Sequence, residues 1–113
     1  MKLPGAERAV VEASKVRDYL LSDSHPVGRF KAAFFAALGY SAANWEGLAA
    51  DLRRHAMDNE ASASEANEYG QKYEVRGNLL GPAGKTAAVV AVWIVRRDED
   101  FPRFVTAFPG ARP

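Results

Sequence analysis

Cysteine is absent from this chain of 113 residues, which excludes disulfide scaffolds, thiolate zinc sites and thiol nucleophiles. Histidine is nearly as scarce. His25 and His55 are isolated from each other and the carboxylates are scattered, so no metal and no cofactor is expected. Long hydrophobic runs are missing too: the apolar run Thr86–Val95 is about half of the ~20 residues that a membrane helix needs. The start, Met1-Lys2-Leu3-Pro4-Gly5, turns polar at once and lacks the apolar core of a signal peptide. A cytoplasmic, bacterial-type protein with no membrane contact is the expectation. Nor does one sign of charge dominate, since 15 Lys/Arg face 14 Asp/Glu for a net +1, whereas dedicated duplex-binding domains are far more basic.

What remains is a folded composition, 48% hydrophobic and 26% charged, of a length that forms one domain over residues 1–113 around one core. Charge is unevenly spread. Residues 1–56 carry 8 Lys/Arg against 6 Asp/Glu, residues 57–70 none against 4, and residues 71–113 carry 7 against 4. An acidic connector thus separates two mildly basic parts, an asymmetry that permits a phosphate-binding face in the second part.

Periodicity divides the chain into a helical part (1–56), an acidic loop (57–68) and a β-meander (69–109). Residues Glu7–Glu12 fit a short edge strand. Ser14 fits the cap of a first helix whose stripe is Val16, Tyr19 and Leu20. A second helix starts near Pro26 and stops at Gly39, with Val27, Phe30, Phe34 and Leu38 as its stripe. A third follows Ser41 or Asn44, carries Trp45, Leu48, Ala49 and Leu52 on one side, and fades after His55. Residues Met57–Glu68 have no period and read as a solvated loop or frayed helix end. Three strands follow: Gln71–Leu80, which alternates; Thr86–Val95, apolar on both faces as in a central strand covered wholly or partly on both; and Arg103–Phe108. Gly81-Pro82-Ala83-Gly84-Lys85 is the hairpin connection between the first two. The fold class is α+β, with N-terminal helices packed on one face of a small C-terminal antiparallel β-meander.

Gly84-Lys85-Thr86 imitates a phosphate loop but fails as one: Leu79 stands where the leading glycine belongs, and a strand rather than a helix follows. His25, in Ser24-His25-Pro26, is the candidate acid–base residue, imidazole being the group that titrates nearest neutral pH. His55 reads as a solvated i, i+4 partner of Asp51. Lys31 falls near the centre of the second helix's apolar stripe, where a lysine must snorkel, pair or point into a cleft. On the first strand Lys72, Glu74 and Arg76 face away from Tyr73 and Val75, and Trp93 or Arg103 extends that face. A carboxylate flanked by cations takes a proton from a hydroxyl while the cations hold a phosphate, which suits metal-free attack of a ribose 2′-OH on its phosphodiester. Trp93 or Tyr69 would stack on a base. Tyr73, Phe104 and Phe108 read as core.

Several segments together resemble one bacterial domain family of unknown function, over nearly the whole chain. They are Leu3-Pro4-Gly5-Ala6-Glu7, His25-Pro26-Val27-Gly28-Arg29-Phe30-Lys31-Ala32, Leu38-Gly39-Tyr40, Tyr69-Gly70-Gln71-Lys72-Tyr73-Glu74-Val75, Gly81-Pro82-Ala83-Gly84-Lys85-Thr86-Ala87, Val92-Trp93-Ile94 and Pro102-Arg103-Phe104-Val105-Thr106. Members of that family occur as small stand-alone proteins and as C-terminal cargo of polymorphic toxins, some encoded beside a small partner protein. The resemblance directs attention to His25, Lys31, Tyr69, Lys72, Glu74, Arg103 and Thr106. Helices followed by a meander are also similar in order to compact metal-independent ribonuclease toxins of the barnase and RelE type, an analogy at the level of fold. The expectation is a metal-independent ribonuclease with His25, Lys72 and Glu74 catalytic and Lys31, Arg76, Arg103, Tyr69 and Trp93 on the RNA. The alternative is a non-catalytic protein-binding module, an antitoxin, immunity or adaptor protein, whose acidic segment Asp58–Glu68 docks on a basic surface.

Overall fold

The computed structural model describes residues 1–26 and 29–110, the Phe30 side chain apart. Helix α1 (Ala13–Lys15) continues directly into a π-turn, Val16–Leu20. Helix α2 spans Arg29–Ala37 and α3 spans Trp45–Asp58. Strands β1 (Ala61–Asn67), β2 (Gly70–Leu80), β3 (Thr86–Arg96) and β4 (Pro102–Pro109) form one antiparallel sheet in the order β1-β2-β3-β4. The α+β class is therefore as the sequence reads, with four strands in place of three. No helix among the described residues is long and apolar enough to cross a membrane.

The fourth strand is β1, in the segment read as a solvated loop. Six of its seven residues are exposed, so no alternation marks it; ladder pairing with β2 holds it instead. A bulge between Ala63 and Ala66 is pinned by Gln71, whose amide donates to the Ser64 carbonyl at 3.1 Å. The strand expected over Glu7–Glu12 is a 3₁₀ turn, Ala6–Arg8, followed by a single parallel bridge from Val10 to Arg103.

The helices obey their patterns, with differences at their ends. Glu12, not Ser14, precedes α1, and no side chain caps it. Pro26 lies in a turn, the Arg29 amide donates to the His25 carbonyl at 3.1 Å, and α2 is described from Arg29 on. Val27 and the Phe30 side chain, half of the expected stripe, lie outside the described residues. Phe35 and Leu38 are buried in the core, and Gly39 ends the helix at φ 104°, a conformation glycine adopts without penalty. Ser41 and Asn44 bond reciprocally around the 3₁₀ turn that leads into α3.

In α3 the buried residues are Leu48, Ala49, Leu52, His55 and Ala56. His55 is thus a core residue, only 3% exposed, and not the solvated partner of Asp51. Its Nε2 lies 3.0 Å from the Gly77 carbonyl, and Asp51 bonds Tyr40 and Arg54 instead. Gly77 lacks the Cβ that would run into the Asn59 side chain, and this bare stretch of β2 admits α3 closely.

Register sorts the sheet's two faces. Tyr73, Val75 and Leu79 share one face with Val89, Ala91, Trp93, Phe104 and Ala107, and this face meets Leu48, Leu52, Val16 and Leu20 in one core. The other face carries three rows: Lys72–Ile94–Arg103, Glu74–Val92–Thr106 and Arg76–Val90–Phe108. An apolar strip on β3 is therefore flanked by polar side chains on β2 and, at Arg103 and Thr106, on β4. Val90 is completely buried between Arg76 and Phe108, whereas Val92 and Ile94 in the other two rows are half-buried. Phe108, expected in the core, is half-buried on this second face.

Candidate functional site

Four polar side chains from distant parts of the chain converge where the π-turn, the loop before α2 and the end of β4 meet. In the π-turn the Leu21 amide donates to the Val16 carbonyl at 2.9 Å, five residues back; such turns recur at functional sites. Its Tyr19 is packed against the core, yet the phenol oxygen accepts from Lys31 Nζ at 2.9 Å. Lys31 lies one turn before Phe35 on the α2 stripe, and its ammonium also donates to Thr106 Oγ1 at 2.8 Å. The misplaced lysine on the apolar stripe thus pairs with two hydroxyls. The β4 bulge, which makes Val105 the extra residue between Phe104 and Thr106, keeps Thr106 in the row of Val92 and Glu74.

His25 completes the group. Its backbone is held by the Ser22 hydroxyl, which accepts from the His25 amide at 3.1 Å. Its ring meets that of Tyr19 edge-on, centroids 5.0 Å apart. Tyr19, His25 and Thr106 line, with Lys15 and Val105, a pocket of about 410 Å³. Burial pushes the Tyr19 phenol up, but the hydrogen bonds involving Lys31 and Thr106 and the charges of Lys31 and Lys15 outweigh it. The net result is a pKa below the ordinary tyrosine value. An acid–base ring, an acidified phenol and an ammonium held between hydroxyls make a site that can move protons beside an anion.

The remaining candidates lie elsewhere. Lys72 and Glu74 do not join His25: Lys72 Nζ is 3.4 Å from Glu65 and Glu74 is 3.3 Å from Arg76. Glu74 faces Thr106 across Val92, about 10 Å away backbone to backbone at two strand spacings. Arg103 grips Glu99 through two bonds of 2.9 Å, which hold the Glu99 carboxyl below the ordinary glutamate range. Tyr69 is 68% exposed. Trp93 is fully buried edge-on to Phe104 at 5.4 Å, so it cannot stack on a base. Tyr19 is the residue that sequence reasoning missed, having been assigned to the apolar stripe; the signal was its hydroxyl, which on a packed face demands a partner.

Fold and pocket together define an α+β meander protein with a polar cluster beside the last strand. The chain belongs to the family described as a domain of unknown function, DUF6883, whose pattern matches residues 2–111. No curated protein matches it. It is similar to a chain in a solved structure described as a contact-dependent growth inhibition toxin–immunity protein complex from Klebsiella pneumoniae 342. The two are 26% identical and superpose with a TM-score of 0.68, over 89% of this chain and 99% of that one.

Proposed function

We propose that this protein is a toxin-like, metal-independent ribonuclease acting through 2′-OH attack. The observation that carries the reading is the Tyr19–His25–Lys31–Thr106 cluster, in which Lys31 joins Tyr19 to Thr106 and the His25 ring meets that of Tyr19. Similarity to a chain of a toxin–immunity complex supports a toxin- or immunity-related protein. In this reading the scissile phosphate lies over Val92. Lys31 and Thr106 hold its oxygens from one side, and Glu74 stands on the other. Glu74 and His25 form the acid–base pair: one removes the 2′-OH proton as the 2′-oxygen attacks phosphorus, and the other protonates the departing 5′-oxygen as the P–O5′ bond breaks. A 2′,3′-cyclic phosphate and a 5′-hydroxyl result. Tyr19 positions Lys31. Lys72 and Arg76, whose exposed ion pairs cost little to open, lie along the rest of the RNA path, and Arg103, held by Glu99 through a largely buried pair, borders it.

The test is cleavage of total RNA by purified protein in EDTA. His25→Ala and Lys31→Ala are expected to slow it by ~10²–10⁴-fold with the fold intact by circular dichroism. RNA left whole by the folded wild type would end the reading. A second reading, a non-catalytic immunity or adaptor protein, is favoured by the ion pairs that already occupy Lys72, Glu74 and Arg103. It predicts no growth arrest on induction and indifference to both substitutions.

A further inference from the structure

We propose that the cleft between the β1–β2 and β3–β4 turns is a second subsite, which takes an unpaired RNA nucleotide adjoining the reacting phosphate; this rests on the ribonuclease reading. The cleft has a volume of about 850 Å³ and shares Val105 with the pocket of His25 and Tyr19, so a chain bound in one leads into the other.

Its chemistry is that of a nucleotide. Ile94 and Val105 give it an apolar floor, and Tyr69 stands over it as an exposed ring. That ring sits on anchored backbone. Asn67 Oδ1 accepts from the amides of Tyr69 and Gly70, at 2.8 and 3.3 Å, and the Arg97 amide donates to the Tyr69 carbonyl at 3.1 Å, tying the two turns together. A ring carried on backbone held in this way stacks on a base with only its own side-chain rotation to order. Lys72, Arg96 and Arg97 supply the phosphate contacts. Among the described residues neither Arg96 nor Arg97 has a carboxylate within 4 Å, whereas Lys72 shares only the exposed Glu65. Three carboxylates also line the cleft. Glu99 is taken by Arg103, which leaves Glu68 and Asp98 as acceptors. Acceptors repel a bare phosphate but bind the N–H edge of a base, so the cleft selects a nucleotide over a plain anion. Reaching that edge requires a base splayed out of any helix, hence single-stranded RNA rather than duplex.

The experiment uses a labelled 12-nucleotide single strand with 2′-O-methyl riboses, which lacks the attacking hydroxyl, and its duplex form, followed by fluorescence anisotropy. The wild type is expected to prefer the single strand. Tyr69→Ala and the double variant Arg96→Ala/Arg97→Ala are expected to weaken binding by about tenfold each, while Tyr69→Phe, which keeps the stacking face, binds like the wild type. With the cleavable RNA, Tyr69→Ala should raise KM and leave kcat within about twofold. Unchanged affinity in both Tyr69→Ala and the double arginine variant, or equal affinity for the duplex, overturns the proposal. Binding that depends on Tyr69, without cleavage of the cleavable strand, keeps the subsite and removes the ribonuclease reading instead.

Discussion

His55 shows what one residue's placement does to the whole. Desolvation in the core favours its neutral ring and outweighs the opposing hydrogen bond to the Gly77 carbonyl, so its pKa falls below the ordinary 6.5. In the unfolded chain the same imidazole protonates near that ordinary value. The unfolded state therefore binds more protons below it, and stability declines as pH drops from 6.5 towards the depressed value. The urea midpoint of the wild type is expected to fall between about pH 7.5 and about pH 5.5, a window in which ordinary carboxylates stay charged. His55→Gln, which keeps an amide donor for Gly77 without the titration, should flatten that dependence. A variant that retains the full slope would remove His55 as its cause. The placement was legible in part. His55 follows Leu48 by seven residues and Leu52 by three, so periodicity assigns it to the buried stripe; Asp51, four residues earlier, suggested a surface pair instead. Tyr19 and Lys31 repeat the lesson, since a polar atom on an apolar stripe announces a partner without naming it.

At the scale of elements, legibility followed burial. Strands β2 and β3 alternate or run apolar because one or both faces are covered, and both were readable within a residue or so of their ends. Strand β1 was not. Its Ala-Ser-Ala-Ser-Glu-Ala-Asn sequence buries only Ala61, and a strand held by main-chain pairing at a sheet edge leaves no side-chain signature. Its ladder nonetheless makes a sharp prediction. The Ala61 amide points outward, to the Met1 carbonyl, so along the strand Ser62 points inward to β2 and Ala63 outward. Ser62→Pro should destabilise by about 1–3 kcal/mol through the lost bond, and Ala63→Pro should cost much less. Denaturant melts of the two variants decide it. Equal cost at both sites would mean that β1 does not pair as described.

The whole molecule depends on its first ten residues in a way no local pattern revealed. Sheet order places β1 and β4 at opposite edges, three strand spacings or about 14 Å apart. The N-terminal segment touches both. Met1 accepts from the Ala61 amide at 2.6 Å on one edge, and Val10 exchanges two bonds of 2.9 Å with Pro102 and Phe104 on the other. Nine residue steps reach up to about 30 Å, so slack must be taken up, and the 3₁₀ turn Ala6–Arg8 does so while burying Leu3, Ala6 and Ala9 against the core. The same strap fixes the β3–β4 turn, for Arg8 bonds both the side chain and the carbonyl of Asp100 at 2.9 Å. Sheet edges without cover invite pairing between molecules. Removing residues 1–9 should therefore lower stability by at least about 2 kcal/mol, the low end for a buried leucine alone, and should produce oligomers at concentrations where the full chain stays monomeric. Leu3→Ala separates the two effects: it empties part of the core, at about 2–5 kcal/mol, but leaves both edge contacts in place and so should not promote association. Light scattering after size exclusion, beside urea unfolding, reads both quantities. If the truncated chain stays monomeric and unfolds with the full chain, the strap holds neither edge. If it associates while Leu3→Ala does not, the N-terminal segment is what keeps this open meander to itself.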